Sequence, residues 1–145
     1  MLQSTTILIK NELLVNNISL RMSFDDHLSK VNGHHQNLQQ VFLNVFLNGI
    51  EAMSNGGELS ISTSIEGDNV RIDIRDTGIG IPKENLEMIF DPFFTTKEVG
   101  KGTGLGLSVS FGIIEKHHGS ITAESREGKG TTITVLLPRV KSNQG

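Results

Sequence analysis

Two glycine clusters carry the residue types and spacing that could do chemistry: Asp76-Thr77-Gly78-Ile79-Gly80 and Gly102-Thr103-Gly104-Leu105-Gly106. The first sets a carboxylate just after a strand-like run. Such a carboxylate accepts a hydrogen bond from an amino group, and an adenine offers one on its Watson–Crick edge. Gly78 and Gly80 leave room for a flat ring to approach the backbone, and Ile79 or Ile81 is placed to cover one of its faces. The second cluster opens into a helix-like run, where free amides and the positive end of the dipole form a phosphate cradle. Plainer readings are a tight Asp-Thr-Gly turn and a flexible glycine loop. Between the clusters stand Phe90, Phe93, Phe94 and Thr95-Thr96-Lys97. The phenylalanines suit anchors of a flap that docks in one state and is released in another. Lys97 and Lys101 could meet phosphates, although solvated surface is the usual role of a single lysine. Two other phosphate motifs are absent: Lys101 is followed by glycine rather than Ser or Thr, and the second cluster spaces its glycines by two.

The remaining elements must position these residues. The pattern predicts a helix from about Asn37 to Met53, with Asn37 and Gln40 as a capping box and Asn55-Gly56-Gly57 as the stop. It is apolar nearly all round, so it is expected to be buried. Gln40, Asn44, Asn48 and Glu51 are the exceptions, and at roughly 100° per residue they fall within about 80° of one another. A polar stripe on a buried helix must face a partner, a wet cleft or a ligand, because an unpaired buried amide costs about 1–3 kcal/mol. An amide oxygen of Asn44 or Asn48 is a fair magnesium ligand beside phosphate.

Alternation predicts strands over Ile18–Phe24, Glu58–Ile65, Val70–Asp76, Ser120–Ser125 and Thr131–Leu137, with hairpin turns at Gly67-Asp68-Asn69 and Glu127–Gly130. A helix is expected over Leu105–His117, stopped by Gly119. Near the start, Thr5 or Thr6 is placed to cap a short helix through Val15, with Ile7, Leu8, Leu13 and Leu14 as its apolar stripe. Residues 1–17 then read as a helix connecting to a preceding domain, 18–138 as the domain proper and 139–145 as a polar tail. His117 and His118 fall at a helix C-terminus, where a partly positive imidazole is favoured.

The chain has 145 residues, 36% hydrophobic and 20% charged, enough for one domain with a real core. A net charge of −3 disfavours nucleic acid as the main partner. Zero cysteines exclude disulfides, zinc thiolates and thiol catalysis and suit a cytoplasmic location. No apolar run is long enough to span a bilayer, so no membrane contact is expected of this segment.

Taken in order, these pieces resemble the catalytic, ATP-binding domain of bacterial sensor histidine kinases, in the superfamily shared with gyrase B, MutL repair proteins and a chaperone ATPase family. QVFLNVFLNGIEAM looks like the family's N box, DTGIGIP its first glycine box, FDPFFTTK its phenylalanine box and GKGTGLGL its second glycine box. FDPFFTTK followed by GTGLGL is most like the nitrogen-regulation type.

The resemblance implies an α/β two-layer sandwich, a mixed sheet of about five strands with three helices on one face. It assigns Asp76 to the adenine amino group, directly and through a water shared with Thr131, and Asn48 to Mg2+, with Asn44 near the γ-phosphate. Gly78, Gly80 and Ile81 would lie at the base. Thr95, Thr96, Lys97, Lys101, Gly102, Thr103, Gly104, Leu105 and Gly106 would lie at the phosphates, and residues 82–103 would form an ATP lid. The implied cofactors are ATP and Mg2+. The implied partners are a dimerisation and phosphoacceptor histidine domain of the same protein and a response regulator receiver domain.

Two departures qualify the match. Gyrase-like ATPases carry a glutamate base where Asn44 stands, and an amide cannot take a proton from water, so phosphoryl transfer to a protein is favoured over brisk hydrolysis. Some histidine kinases place a lysine where Glu51 stands. His27-Leu28-Ser29 does not match a phosphoacceptor site. The alternatives are an anti-sigma-factor-type serine kinase, an ATPase of the superfamily, or a non-catalytic interaction module.

Overall fold

The computed structural model describes residues 2–24, 35–53, 55–91 and 106–139. The elements run α1 (Leu2–Leu8), α2 (Lys10–Val15), β1 (Ile18–Ser23), α3 (His35–Glu51), β2 (Gly57–Glu66), β3 (Asn69–Asp76), α4 (Lys83–Leu86), α5 (Gly106–Lys116), β4 (Ser120–Arg126) and β5 (Gly130–Pro138). The strands form one mixed sheet in the order β1-β2-β3-β5-β4, parallel only between β1 and β2. This is the expected α/β architecture. No helix among the described residues is long and apolar enough to cross a membrane.

The period of two aligns whole rows of side chains across the sheet. Ile61, Ile74 and Ile133 form one buried row, and Thr63, Ile72, Val135 and Ile121 the next. On this face lies α3, which buries Leu38, Val41, Phe42, Val45, Phe46 and Ile50; α3 in turn packs against α5 and α1. The opposite face carries polar pairs such as Arg71 with Asp73 and Glu66. Pairs of this exposure contribute little stability.

Several local expectations need correction. Helix α1 begins at Leu2, so Thr5 and Thr6 are interior helical residues rather than caps, and both are buried. Of the expected apolar stripe only Leu13 is buried. Ile9 and Leu13 are buried, whereas Ile7, Leu8 and Leu14 are at least half exposed. The buried positions Thr5, Ile9 and Leu13 recur every fourth residue, so the buried face lies on a different side of the helices from Ile7, Leu8 and Leu14. Helix α3 starts at His35, so Asn37 lies within its first turn, and Gln40 donates instead to Asn44 Oδ1 (2.7 Å).

Helix α5 ends in a Schellman pattern, with His118 N–H on Glu115 O (3.0 Å) and Gly119 N–H on Ile114 O (3.0 Å). The left-handed residue is therefore His118, at φ 62°, one place before the expected glycine. Arg139, the first residue of the expected polar tail, donates its N–H to Asp68 O in the β2–β3 turn (2.8 Å).

Candidate nucleotide site

The row at one end of the sheet differs from the apolar rows beside it. Leu20, Leu59, Asp76, Thr131 and Ser125 are successive cross-strand partners, so the side chains of Asp76 and Thr131 fall on the core face. Each is only 7% exposed. Polar groups in that position need hydrogen-bond partners. The Asp76 carboxylate accepts from Gly78 N–H (2.9 Å) and from the backbone N–H of Thr131. Burial pushes this carboxyl above its ordinary range, and the two N–H bonds oppose the rise.

Helix α3 crosses this end of the sheet at Gly49. A methyl there would stand 3.4 Å from Asp76 Cβ and 3.5 Å from Asp76 Oδ2, so the missing side chain lets the helix lie against the acid. One residue before Gly49 is Asn48, and one turn earlier is Asn44; both are half-buried. Asn44 Nδ2 donates to Ser110 Oγ of α5 (3.3 Å), while its Oδ1 accepts from Gln40. The polar stripe thus finds part of its partner in α5, and the same helix that carries it passes over Asp76.

The loop after β3 is clamped on two sides. Ile79 N–H donates to Ala52 O at the end of α3 (3.1 Å), and Ile79 O accepts from Gly128 N–H in the β4–β5 turn (2.7 Å). Ile81 N–H donates to Ser125 Oγ (2.7 Å). At Gly78 and Gly80 the direction a side chain would take is filled by neighbouring chain. A methyl on Gly78 would fall 2.5 Å from Ala52 O, and one on Gly80, at φ +76°, would fall on Arg126 O. Both positions therefore require glycine for the loop to pack. Ile79 is 71% exposed, and Ile81 lines an open hollow of about 530 Å³ along β4 with Leu86, Ala123 and Ser125.

Gly106 opens α5 as expected. Thr95, Thr96, Lys97, Lys101, Gly102, Thr103, Gly104 and Leu105, like Phe93 and Phe94, lie outside the described residues. The first part of the expected lid is folded onto the body, with Ile89 buried and the Phe90 ring 5.6 Å from that of Phe111. His117 Nδ1 lies 2.8 Å from Ile113 O, a local helix-end contact. Gly49, Ser110 and Ser125 are site-forming residues that sequence reasoning missed. A glycine inside an otherwise apolar helix was the available signal for Gly49.

Residues 33–141 match the family described as histidine kinase-, DNA gyrase B- and HSP90-like ATPases. The chain belongs to that family. Within it, this ATPase-family domain is similar to the catalytic domain of the histidine kinase ThkA, with a TM-score of 0.83 and 34% identity, covering 95% of this chain and 90% of that one. ThkA has also been solved in complex with the response regulator protein TrrA; there the TM-score is 0.80 and identity 30%, over 98% of this chain and 40% of that chain. Sporulation kinase C of Bacillus subtilis (strain 168) is 40% identical over 138 residues, 94% of this chain and 32% of its own length. Sensor histidine kinase ZraS of Escherichia coli (strain K12) is 44% identical over 121 residues, 83% of this chain and 26% of its own length. The chain thus spans about a quarter to a third of the length of these two relatives.

Proposed function

We propose that this domain binds Mg-ATP and passes the γ-phosphoryl group to a histidine on a dimerisation and phosphoacceptor domain of the same protein, from which a response regulator aspartate takes it. The observation that carries the reading is the buried Asp76 carboxylate at the sheet end, with the asparagine-bearing helix α3 laid against it at Gly49. An acid on the core face is costly unless it serves a ligand, and an amino group of a purine is the donor that fits. ThkA's complex with a response regulator supports the relay.

Among the described residues no three His, Asp or Glu side chains gather as a metal cage. Magnesium would therefore arrive with the nucleotide, held by the Asn48 amide oxygen, with phosphates and water completing its shell. The ion would neutralise charge on the phosphates. Asn44, an amide tied to Gln40 and Ser110, cannot act as a base toward water. This favours transfer to a protein histidine, in which the P–O bond to ADP breaks as a P–N bond to imidazole forms, over hydrolysis by water. Gly102, Gly104 and Gly106 would cradle the phosphates at the start of α5, with Lys97 or Lys101 adding positive charge.

Calorimetry with Mg-ATP tests the base site: Asp76→Asn is expected to lose at least tenfold in affinity, consistent with removal of a hydrogen bond to a charged group. Wild-type affinity in that variant would overturn the assignment. With a supplied acceptor domain and labelled ATP, Asn48→Ala is expected to abolish transfer while keeping the wild-type circular dichroism. Acid-labile product identifies phosphohistidine; acid-stable product would point to a serine kinase instead.

A further inference from the structure

Ser125 on β4 stands directly across from Thr131 on β5, at the end of the row that carries Asp76. Its hydroxyl oxygen has three neighbours: Ile81 N–H at 2.7 Å, Gly130 O at 2.9 Å and Thr131 Oγ1 at 2.8 Å. A serine hydroxyl offers one hydrogen and two lone pairs. An amide N–H can only donate, so Ile81 takes one lone pair. A carbonyl can only accept, so Gly130 takes the hydrogen. One lone pair remains, and Thr131 meets it only by donating its own hydroxyl hydrogen. Thr131 Oγ1 is then left with lone pairs alone, next to a carboxylate that also offers only lone pairs.

We propose that Ser125 is a positioning residue that sets base specificity: by holding the Thr131 hydrogen, it keeps the Asp76–Thr131 end of the row acceptor-only. Such a surface takes an exocyclic amino group, as on adenine, and refuses an oxo group, as on hypoxanthine. The claim rests on the nucleotide reading above and deepens it. Without Ser125 Oγ, the Thr131 hydroxyl is free to rotate and donate to an oxo oxygen, which removes the penalty for the wrong base.

The test measures ADP and inosine diphosphate affinities by calorimetry in wild type, Ser125→Ala and Ser125→Thr, all with magnesium. The wild type is expected to prefer ADP. In Ser125→Ala the preference is expected to fall about tenfold, chiefly because inosine diphosphate gains, the scale of one hydrogen bond made where an unpaired group stood. Ser125→Thr, which restores a hydroxyl, is expected to restore the preference. A loosened fold would weaken both nucleotides alike, so an unchanged ratio in Ser125→Ala overturns the proposal. If Ser125→Ala shows no cooperative unfolding transition, Ser125→Cys, similar in size but a poor acceptor, is read in its place with the same two outcomes. Failure of the wild type to bind either nucleotide would instead sink the nucleotide reading itself.

Discussion

Burial of Asp76 works against the resting fold. Its carboxyl sits above the ordinary value of 3.8 because burial penalises the charge more than the N–H bonds of Gly78 and Thr131 favour it. A folded-state value raised above the unfolded one means that the folded chain holds this proton more tightly. The corresponding stability is complete below pH 3.8 and is lost as pH rises through the raised value. Asparagine does not titrate, so the stability of Asp76→Asn minus that of wild type should increase between pH 4 and pH 7. Denaturant unfolding of both proteins across that range checks the slope, and the other titrating groups cancel in the difference. A flat difference, or one that shrinks as pH rises, would mean that burial does not dominate at this acid. Nucleotide affinity should move the other way and weaken as pH falls through the same window, because a protonated carboxyl loses part of its acceptor capacity. Asp76 was legible in the sequence because the alternation of Val70, Ile72 and Ile74 runs straight into it. Ser125 was not, because its hydroxyl partners lie on β5 and in the loop after β3, and only the folded chain brings the two together.

Two glycines place α3 against the site, and they differ in what they tolerate. At Gly78 an added methyl would meet Ala52 O at 2.5 Å and Ala52 Cβ at 2.7 Å, backbone that cannot step aside without pulling the end of α3. At Gly49 it would meet Leu59 Cδ1 at 3.3 Å, the far end of a flexible side chain, and the added residue favours helix by about 1 kcal/mol. Gly78→Ala should therefore destabilise by about 1–3 kcal/mol, the scale of overpacking. Gly49→Ala should stay within about 1 kcal/mol of wild type. Urea midpoints at unchanged slope decide it, and equal losses at the two positions would refute the distinction. Strand positions were readable because period-two alternation survives wherever one sheet face is buried, as in β2, β3 and β5. Helix starts were read less well. Asn37 has the composition of a cap, yet α3 is already helical at His35, and composition alone does not say which of several polar residues leaves the helix.

At the scale of the molecule, the first 17 residues matter most for where this domain begins. Read from sequence, they connect; in the structure, Thr5, Ile9 and Leu13 are buried, and Ile9 and Leu13 join the core cluster that α3 and the sheet build. Helix α1 packs on α3, the helix that carries Asn44 and Asn48, so the N-terminal segment braces that helix. The other face of the same segment behaves oppositely: Leu14 is 71% exposed and Ile7 70%. Two leucine-sized side chains five residues apart, Ile9 and Leu14, are thus expected to differ sharply on truncation. Ile9→Ala should cost about 2–5 kcal/mol, the transfer term plus a cavity that the packed helices close only in part. Leu14→Ala should change stability by no more than about 0.5 kcal/mol, as for an exposed position. Deleting residues 1–17 should then cost at least as much as Ile9→Ala, because it removes Thr5 and Leu13 as well. Chemical denaturation of the three variants measures this. A deletion as stable as the wild type would show that the segment is a connector after all, and would move the domain's start to β1.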